Sequence, residues 1–123
     1  MNMPSERRPV VRHHDDVAAV ECPCGQSARI ITAADGATMS VHVTRIVDGE
    51  AHFHELADEV YYVIEGHGYI ELDGDTHPVR AGTAVYIPAG LTHRGWGDFT
   101  AVVIVNPPFD PDDEVVVGRH ADS

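Results

Sequence analysis

The chain has 123 residues, 43% of them apolar, and a formal net charge of −12, which together fit one globular domain and exclude a second core. The acidic surplus disfavours nucleic acid as a partner, because phosphate binding needs a basic surface and the chain has eight arginines and no lysine. No apolar run approaches the roughly 20 residues of a membrane span, and no N-terminal stretch resembles a secretion signal. The sequence therefore predicts a soluble, cytoplasmic protein without a membrane partner.

Residues 1–27 are predicted to form an N-terminal arm ahead of the main domain. Prolines and arginines make residues 1–12 a flexible segment, and Asp15 or Asp16 would cap a short helical turn over residues 17–20.

Two cysteines, Cys22 and Cys24, end this arm and are separated by one proline. The spacing is shorter than the Cys-x-x-Cys of zinc sites, and a disulfide between residues so close in sequence is expected to be strained. We therefore predict two free thiols in a loop, with the alternative that one of them caps the mouth of the domain that follows.

From residue 28 onward, short β-branched or aromatic runs alternate with turn signals such as Asp73-Gly74. The predicted strands are 29–32, 39–47, 51–54, 60–64, 69–72, 76–79, 84–87 and 99–105. Many short, evenly spaced strands indicate a sandwich or a barrel, so residues 28–106 are assigned to one all-β domain.

Residues 107–123 are acidic and begin with two prolines, a pattern typical of a solvated surface strap. We predict that this C-terminal strap packs on the surface of the barrel. Its valine run, 115–117, would pair with an edge strand of the same or of another subunit.

Four residues in the second half of this strand pattern are candidate metal ligands: His52, His54, Glu59 and His93. Residues two apart in a strand face the same side, so the first two imidazoles can lean onto one ion. Glu59 follows a short turn, and we expect a hairpin to supply these three ligands. The fourth follows a predicted type I turn at residues 88–91.

The spacing of these ligands resembles the two motifs of small single-domain cupins. The first motif is His52-x-His54, four residues, Glu59, six residues, Gly66, and the second is Gly82, five residues, Pro88-x-Gly90, two residues, His93. The resemblance implies a jelly-roll barrel, also called a double-stranded β-helix, with one divalent transition metal ion held by three histidines and one glutamate. It also implies a homodimer.

Three further residues are candidates for roles beside the ion. If the strand at 60–64 is regular, Tyr61 shares the inner face with Glu59 and would act as hydrogen-bond donor or general acid, with plain packing as an equal alternative. Arg45 is a candidate clamp for a substrate carboxylate or phosphate, although a solvent-facing position is the commoner outcome. Trp96 is a candidate wall of a substrate pocket or a core residue.

The resulting functional hypothesis is a metal-dependent enzyme of dioxygenase, isomerase or lyase type that acts on a small oxygen-rich molecule, such as a hydroxy or keto acid or a sugar derivative. Mixed nitrogen and oxygen ligation suits Fe, Mn, Zn or Ni. A non-catalytic module that binds or senses a sugar or an organic acid is the alternative. A metal-free barrel kept for assembly is a third possibility.

Overall fold

The computed structural model describes residues 8–118, and the parts of the predicted N-terminal arm and C-terminal strap that fall at 1–7 and 119–123 lie outside them. The described strands are β1 Val20–Cys22, β2 Gly25–Ile31, β3 Ser40–Asp48, β4 Ala51–His54, β5 Asp58–Leu72, β6 Asp75–Arg80, β7 Ala84–Ile87, β8 His93–Asn106 and β9 Glu114–Gly118. Three short 3-10 turns, His14–Asp16, Ala33–Asp35 and Pro111–Asp113, lie between them. Among these residues no helix is long and apolar enough to cross a membrane.

The strands form one curled antiparallel sheet in which β8 is the central member. One side of the sheet runs in the order β1, β2, β3, β8, β4, β9. Strand β4 pairs with the first residue of β8 and, on its other edge, with β9. On its other edge β8 pairs along its whole length with β5, which in turn pairs with β6 and β7. The core lies inside this curl and is formed by apolar side chains such as Ile46, Val63, Ile70 and Phe99, each no more than 2% exposed.

Two of the predicted strands are joined into one longer strand in the structure. The separate strands predicted at 60–64 and 69–72 are one strand, β5, that passes through Gly66 at φ +83° with a register shift after Val63. A Cβ at Gly66 would collide with the backbone of Asp98, so glycine permits the close pairing of β5 with β8 there.

The N-terminal region differs from the prediction of a plain arm. The helical turn expected at 17–20 is instead a 3-10 turn at His14–Asp16, and His13 rather than an aspartate caps it by accepting from the Asp15 amide. The chain then forms β1 and β2, so the sheet begins at Val20 and not at residue 28.

The cysteines also differ from the prediction, because Cys22 and Cys24 are paired in a disulfide rather than free. Their Cα atoms are 5.2 Å apart, which is within the range that a disulfide requires. This separation is reached because the two residues lie on either side of the tight turn between β1 and β2, where Cys22 is the register partner of Gly25.

The described part of the C-terminal strap, residues 107–118, packs on its own chain. Strand β9 pairs with β4, with Val116 opposite His52 and Glu114 opposite His54. The valine run thus covers the free edge of the strand that contributes two of the candidate ligands.

Candidate metal centre

The four predicted ligands converge on one point inside the barrel. One ligand atom from each of His52, His54, Glu59 and His93 lies within 4.8 Å of the others, and every one of these residues is at most 5% exposed. The Glu59 Oε1 atom is 3.1 Å from His93 Nε2 and 3.4 Å from His54 Nε2. Donor atoms about 2.1 Å from one ion would lie roughly 3 to 4.2 Å apart, so the observed cluster is close to a coordination shell.

The ligands reach this point from separate parts of the sheet, and the predicted hairpin is wrong. Strand β4 pairs with β8 and β9, whereas β5 pairs with β6, β7 and β8. The turn between them is held instead by Asp113, whose carboxylate accepts from the amides of Leu56 at 2.8 Å and Ala57 at 3.1 Å.

The turn before His93 also departs from the predicted type I geometry. The Leu91 amide donates to the Pro88 carbonyl at 3.2 Å, and Gly90 at the third position has φ +86°, which is the mark of a type II turn. The Gly90 amide donates to the His54 carbonyl at 2.7 Å, so this turn is docked on the end of β4.

Backbone carbonyls fix the ring orientation of two of the histidines. The Nδ1 atom of His52 is 2.8 Å from the Glu50 carbonyl, and that of His93 is 2.9 Å from the Leu91 carbonyl. A carbonyl oxygen can only accept, so in both rings Nδ1 must be the protonated nitrogen. The lone pair of each Nε2 is then directed into the cluster, as in metal-binding histidines.

The buried polar atoms in the cluster lack hydrogen-bond partners, which is the fit expected of a cation site. His54 Nε2, His93 Nε2 and Glu59 Oε1 approach one another but form no directional hydrogen bond. Leaving three buried polar atoms unsatisfied costs roughly 1 to 3 kcal/mol each, whereas a bound divalent ion would satisfy all of them. The residues present therefore fit a divalent metal.

Electrostatics favour the protonation state that metal binding needs at two of the ligands. Burial, together with neighbouring His93, lowers the pKa of His52 to about 4, so this imidazole is neutral at pH 7. Burial alone would raise the pKa of Glu59, but His54 and His93 outweigh it and the pKa is lowered. For His54, burial acts to lower the pKa, but nearby carboxylates, Glu59 first among them, outweigh burial and the pKa is raised.

A small cavity of about 20 Å³ adjoins the cluster and has room for about one water molecule. Its walls include Tyr61, Arg29, His42, Phe109 and the disulfide pair. Tyr61 lies on the inner face with Glu59, as the alternation predicted, and its ring centroid is 6.0 Å from that of His93. Burial, then Glu59 and Glu114, raises the pKa of the Tyr61 hydroxyl well above its usual value, so it keeps its proton.

The structure does not bring Arg45 or Trp96 to this cavity. Arg45 lies on the outer face of β3 with its side chain 62% exposed, and its guanidinium is 3.2 Å from Asp98, which matches the solvent-facing alternative. Trp96 stacks on Tyr69 at 5.7 Å, with the Arg94 guanidinium 4.5 Å from its ring centre. A wider depression of about 620 Å³ includes Arg45 but shares no residue with the cluster cavity.

The ionisable cavity residues that the sequence did not reveal are Arg29, His42 and Glu114. Glu114 Oε2 is 4.0 Å from His52 Nε2, and burial raises the pKa of this carboxyl. Its position depends on β9 pairing with β4, which no local pattern indicates. A signal existed for His42, because Ser40, His42 and Thr44 form an alternating polar face on β3. His42 and Thr44 of this face point inward and line the cavity.

The comparisons with known proteins agree with this geometry. Residues 39–105 match the family model of the Cupin domain. The chain belongs to the cupin family, and the predicted all-β jelly-roll fold is confirmed.

Among curated proteins, the chain is 32% identical over 109 residues to an L-ectoine synthase of Mycolicibacterium vanbaalenii, covering 80% of this chain and 84% of that protein. It is 42% identical over 43 residues to the polyketide synthase CurC of Streptomyces cyaneus, covering 35% of this chain and 28% of that protein. The match thus spans only about a quarter of that relative's length.

Among solved structures, a protein from Planctomyces limnophilus is 37% identical, with a TM-score of 0.83 over 89% of this chain and 97% of that one. The nucleoside dehydratase Pac13 has a TM-score of 0.75 over 91% of this chain and 93% of that one. Its identity is 18%, so it shows the shared fold alone.

Proposed function

We propose that this cupin is a metal-dependent enzyme that acts on a small oxygen-rich molecule, with one divalent Fe, Mn, Zn or Ni ion held by His52, His54, Glu59 and His93. The observation that supports this most directly is the convergence of four buried ligand atoms within 4.8 Å. Three neutral imidazoles and one carboxylate would leave the bound ion with a net charge near +1 and room for substrate oxygens.

The chain's own groups would divide the work around such an ion. When bound, the ion supplies Lewis-acid polarisation of a substrate oxygen. Tyr61 holds its proton next to the cluster and is proposed as hydrogen-bond donor or general acid toward that substrate. The apolar side chains Val103 and Phe109 line the same cavity and limit the access of water.

Within the possible reaction types, we favour a lyase over a dioxygenase or an isomerase. A structural neighbour is named as a nucleoside dehydratase, and a dehydratase removes water from its substrate. Several curated relatives are named as L-ectoine synthases. The support is the shared fold and partial identity, together with a protonated tyrosine placed to assist a leaving oxygen.

The test is metal analysis of protein purified without chelator or affinity metal, followed by turnover assays. Candidate substrates are hydroxy acids, keto acids, sugar derivatives, nucleosides and the precursor of L-ectoine, each with and without O₂. We expect about one divalent ion per chain and O₂-independent product formation from one class. Protein without a transition metal would contradict the proposal, and strict dependence on O₂ would replace the lyase by a dioxygenase.

A binding or sensing module is the second candidate, and it is supported because Tyr61 is the one proton donor that we propose beside the ligands. The space of about 20 Å³ is closed to anything larger than water, so either function requires side chains to move. Stabilisation by a small acid or sugar, with no product from the metal-loaded protein after prolonged incubation, would support the binder over the enzyme.

We also propose that the protein is a homodimer, as the family resemblance implies. Apolar side chains that include Tyr62, Ile64 and Tyr86 are 46 to 61% exposed and project from β5 and β7. A second copy would remove such a surface from water. Light scattering of the wild type and of Tyr62→Asp would test this, with a dimer expected for the first and a monomer for the second.

A further inference from the structure

Arg29 is a cation in the cavity wall that forms no ion pair among residues 8–118, although Glu114 lines the same cavity and, against the effect of burial, the charge of Arg29 acts to lower the pKa of that carboxyl. It lies on β2 directly opposite His42 of β3, and both side chains line the cavity beside the ligand cluster. Its Nε atom is buried and has no hydrogen-bond partner, and no carboxylate of the described chain lies within ion-pair distance of it. The side chain is half-buried, and leaving its one buried donor, Nε, without an acceptor is costly, which points to a ligand that would satisfy it.

The contact that does hold Arg29 leaves its hydrogen-bond donors available. The guanidinium carbon lies 4.5 Å from the ring centre of Phe109, over the face of the ring. Such a cation–π contact provides no hydrogen-bond acceptor for the N–H groups of the guanidinium, so they stay available to a ligand. Phe109 thus orients the planar fork without occupying it, and the Ser40 hydroxyl fixes Phe109 by accepting from its amide at 2.9 Å.

The charges around the cavity favour an anion next to Arg29. Burial and then Arg29 itself keep His42 in the neutral form, so that imidazole does not add a competing cation. The Glu114 carboxyl lines the same cavity, and burial raises its pKa, which disfavours its negative form there. With an ion near +1 at the cluster and the guanidinium in the wall, two positive centres would border one small space. A carboxylate matches both, because it can accept two parallel N–H bonds from an arginine.

The space beyond this wall is large enough for the rest of a small ligand. A second pocket of about 170 Å³ is lined by Arg29, His42, Phe109, Pro111 and neighbouring residues. It shares the first three with the cluster cavity, so these side chains form a wall common to the two spaces. A shift of the Phe109 ring would join them.

We propose that Arg29 is the residue that binds the carboxylate of the substrate, and that the substrate class is small 2-hydroxy or 2-oxo acids. This inference rests on the proposed metal-dependent function, and it names the substrate class of that same site. The cavity of about 20 Å³ admits a carboxylate only when the Phe109 ring moves aside. The carboxylate then lies between the guanidinium and the metal cluster, and the remainder of the molecule extends past Phe109 into the second pocket.

The test compares a charged and a neutral probe of the same size on the metal-loaded protein. Glycolate and glycolamide differ in one charge, and their dissociation constants are measured by calorimetry for wild type, Arg29→Gln and Arg45→Gln. Arg45→Gln is the matched control, because it removes the same charge from an arginine on the outer face. The metal content of each variant is determined first.

We expect Arg29→Gln to keep its metal and to bind glycolate at least tenfold more weakly, while its affinity for glycolamide changes less than threefold. Arg45→Gln should bind both probes as the wild type does. Arg29→Lys, which keeps the charge but lacks the planar fork, should lie between wild type and Arg29→Gln, and it serves as the second variant if the glutamine variant folds poorly.

The outcomes separate the two proposals. Metal-loaded Arg29→Gln that binds glycolate as tightly as the wild type would overturn the role of Arg29 and leave the metal-dependent function standing. Metal-loaded wild type that binds neither probe would overturn the substrate class. A wild type that holds no metal would overturn the proposed function, and the inference about Arg29 with it.

Discussion

His42 should make the stability of the folded protein depend on pH, because its imidazole is buried. Its side chain is 6% exposed on the inner face of β3, and its pKa is lowered from 6.5 to about 4. The causes are burial, then the charge of Arg29; Glu59 acts in the opposite direction, and His54 adds to the lowering. The imidazole is therefore neutral in the folded protein at pH 5, whereas in the unfolded chain it is mostly protonated.

The sign and size of the effect follow from this difference in proton uptake. Between pH 6.5 and pH 4 the unfolded state binds a proton that the folded state does not, so stability falls as the pH is lowered through this window. Each pH unit in the window costs about 1.4 kcal/mol, so the step from pH 7 to pH 5 costs about 2 kcal/mol from His42 alone.

The assay is urea unfolding at pH 7 and pH 5, with chelator present so that metal does not compete with protons. We expect His42→Gln to lose about 2 kcal/mol less than the wild type between the two pH values. The exposed His77 supplies the control, since His77→Gln changes a side chain that meets solvent in both states and should leave the wild-type loss unchanged. NMR titration of the His42 ring gives a direct reading.

An apparent pKa near 6.5 for His42, or equal pH dependence of wild type and His42→Gln, would refute the reasoning. The first result would mean that the imidazole is solvated in the folded protein. The second would mean that burial at this site has no differential effect on the two protonation states.

Three further predictions concern the centre and the core. His52→Ala and His93→Ala should each lose the metal together with the stabilisation that it gives, about 4 kcal/mol when free metal is a thousandfold above its Kd. The control is the exposed His67, because His67→Ala should keep both the metal and the stability. Unchanged metal content in either ligand variant, measured by elemental analysis, would contradict the ligand assignment. Tyr61→Phe should retain the metal and lower turnover by about 10²-fold, and loss of metal instead would show that this hydroxyl supports the ligands. Phe99→Ala should lower the free energy of unfolding, measured with urea, by about 3 to 5 kcal/mol, because the ring is 2% exposed. A loss under about 1 kcal/mol would mean that the core closes around the gap.

The fold class and the convergence of the four candidate ligands could be predicted because their signals are local. Alternating residues mark strands, and the glycines and Pro88 mark the turns between them, so the positions of His52, His54, Glu59 and His93 follow from spacing within two short segments. Even so, the hairpin expected for three of these ligands is absent. The chain crosses between the two edges of β8 there, and Asp113 from the C-terminal segment holds the turn.

The remainder of the cavity could not be predicted, because its residues depend on pairing between distant segments. Arg29 reaches the cavity through the pairing of β2 with β3, and Glu114 reaches it through β9 and β4. The alternation of residues on β3 also misleads, because the polar Ser40 and His42 are buried on the inner face while Val41 and Val43 lie on the outer face. A rule that turns apolar side chains inward fails where the interior is a polar site.

The candidate ligands and the residues proposed to select the substrate lie in different parts of the chain. The four candidate ligands and Tyr61 all lie within residues 39–105, the part that matches the Cupin domain, whereas Arg29, Phe109 and Glu114 lie on either side of it. If the flanking segments select the substrate, changes in them should alter which ligand binds without altering the metal content. Changes at His93 should remove the metal and every ligand that depends on it. Parallel measurement of metal content and glycolate affinity in Arg29→Gln and His93→Ala tests this separation, and a loss of metal in Arg29→Gln would show that wall and centre act as one unit.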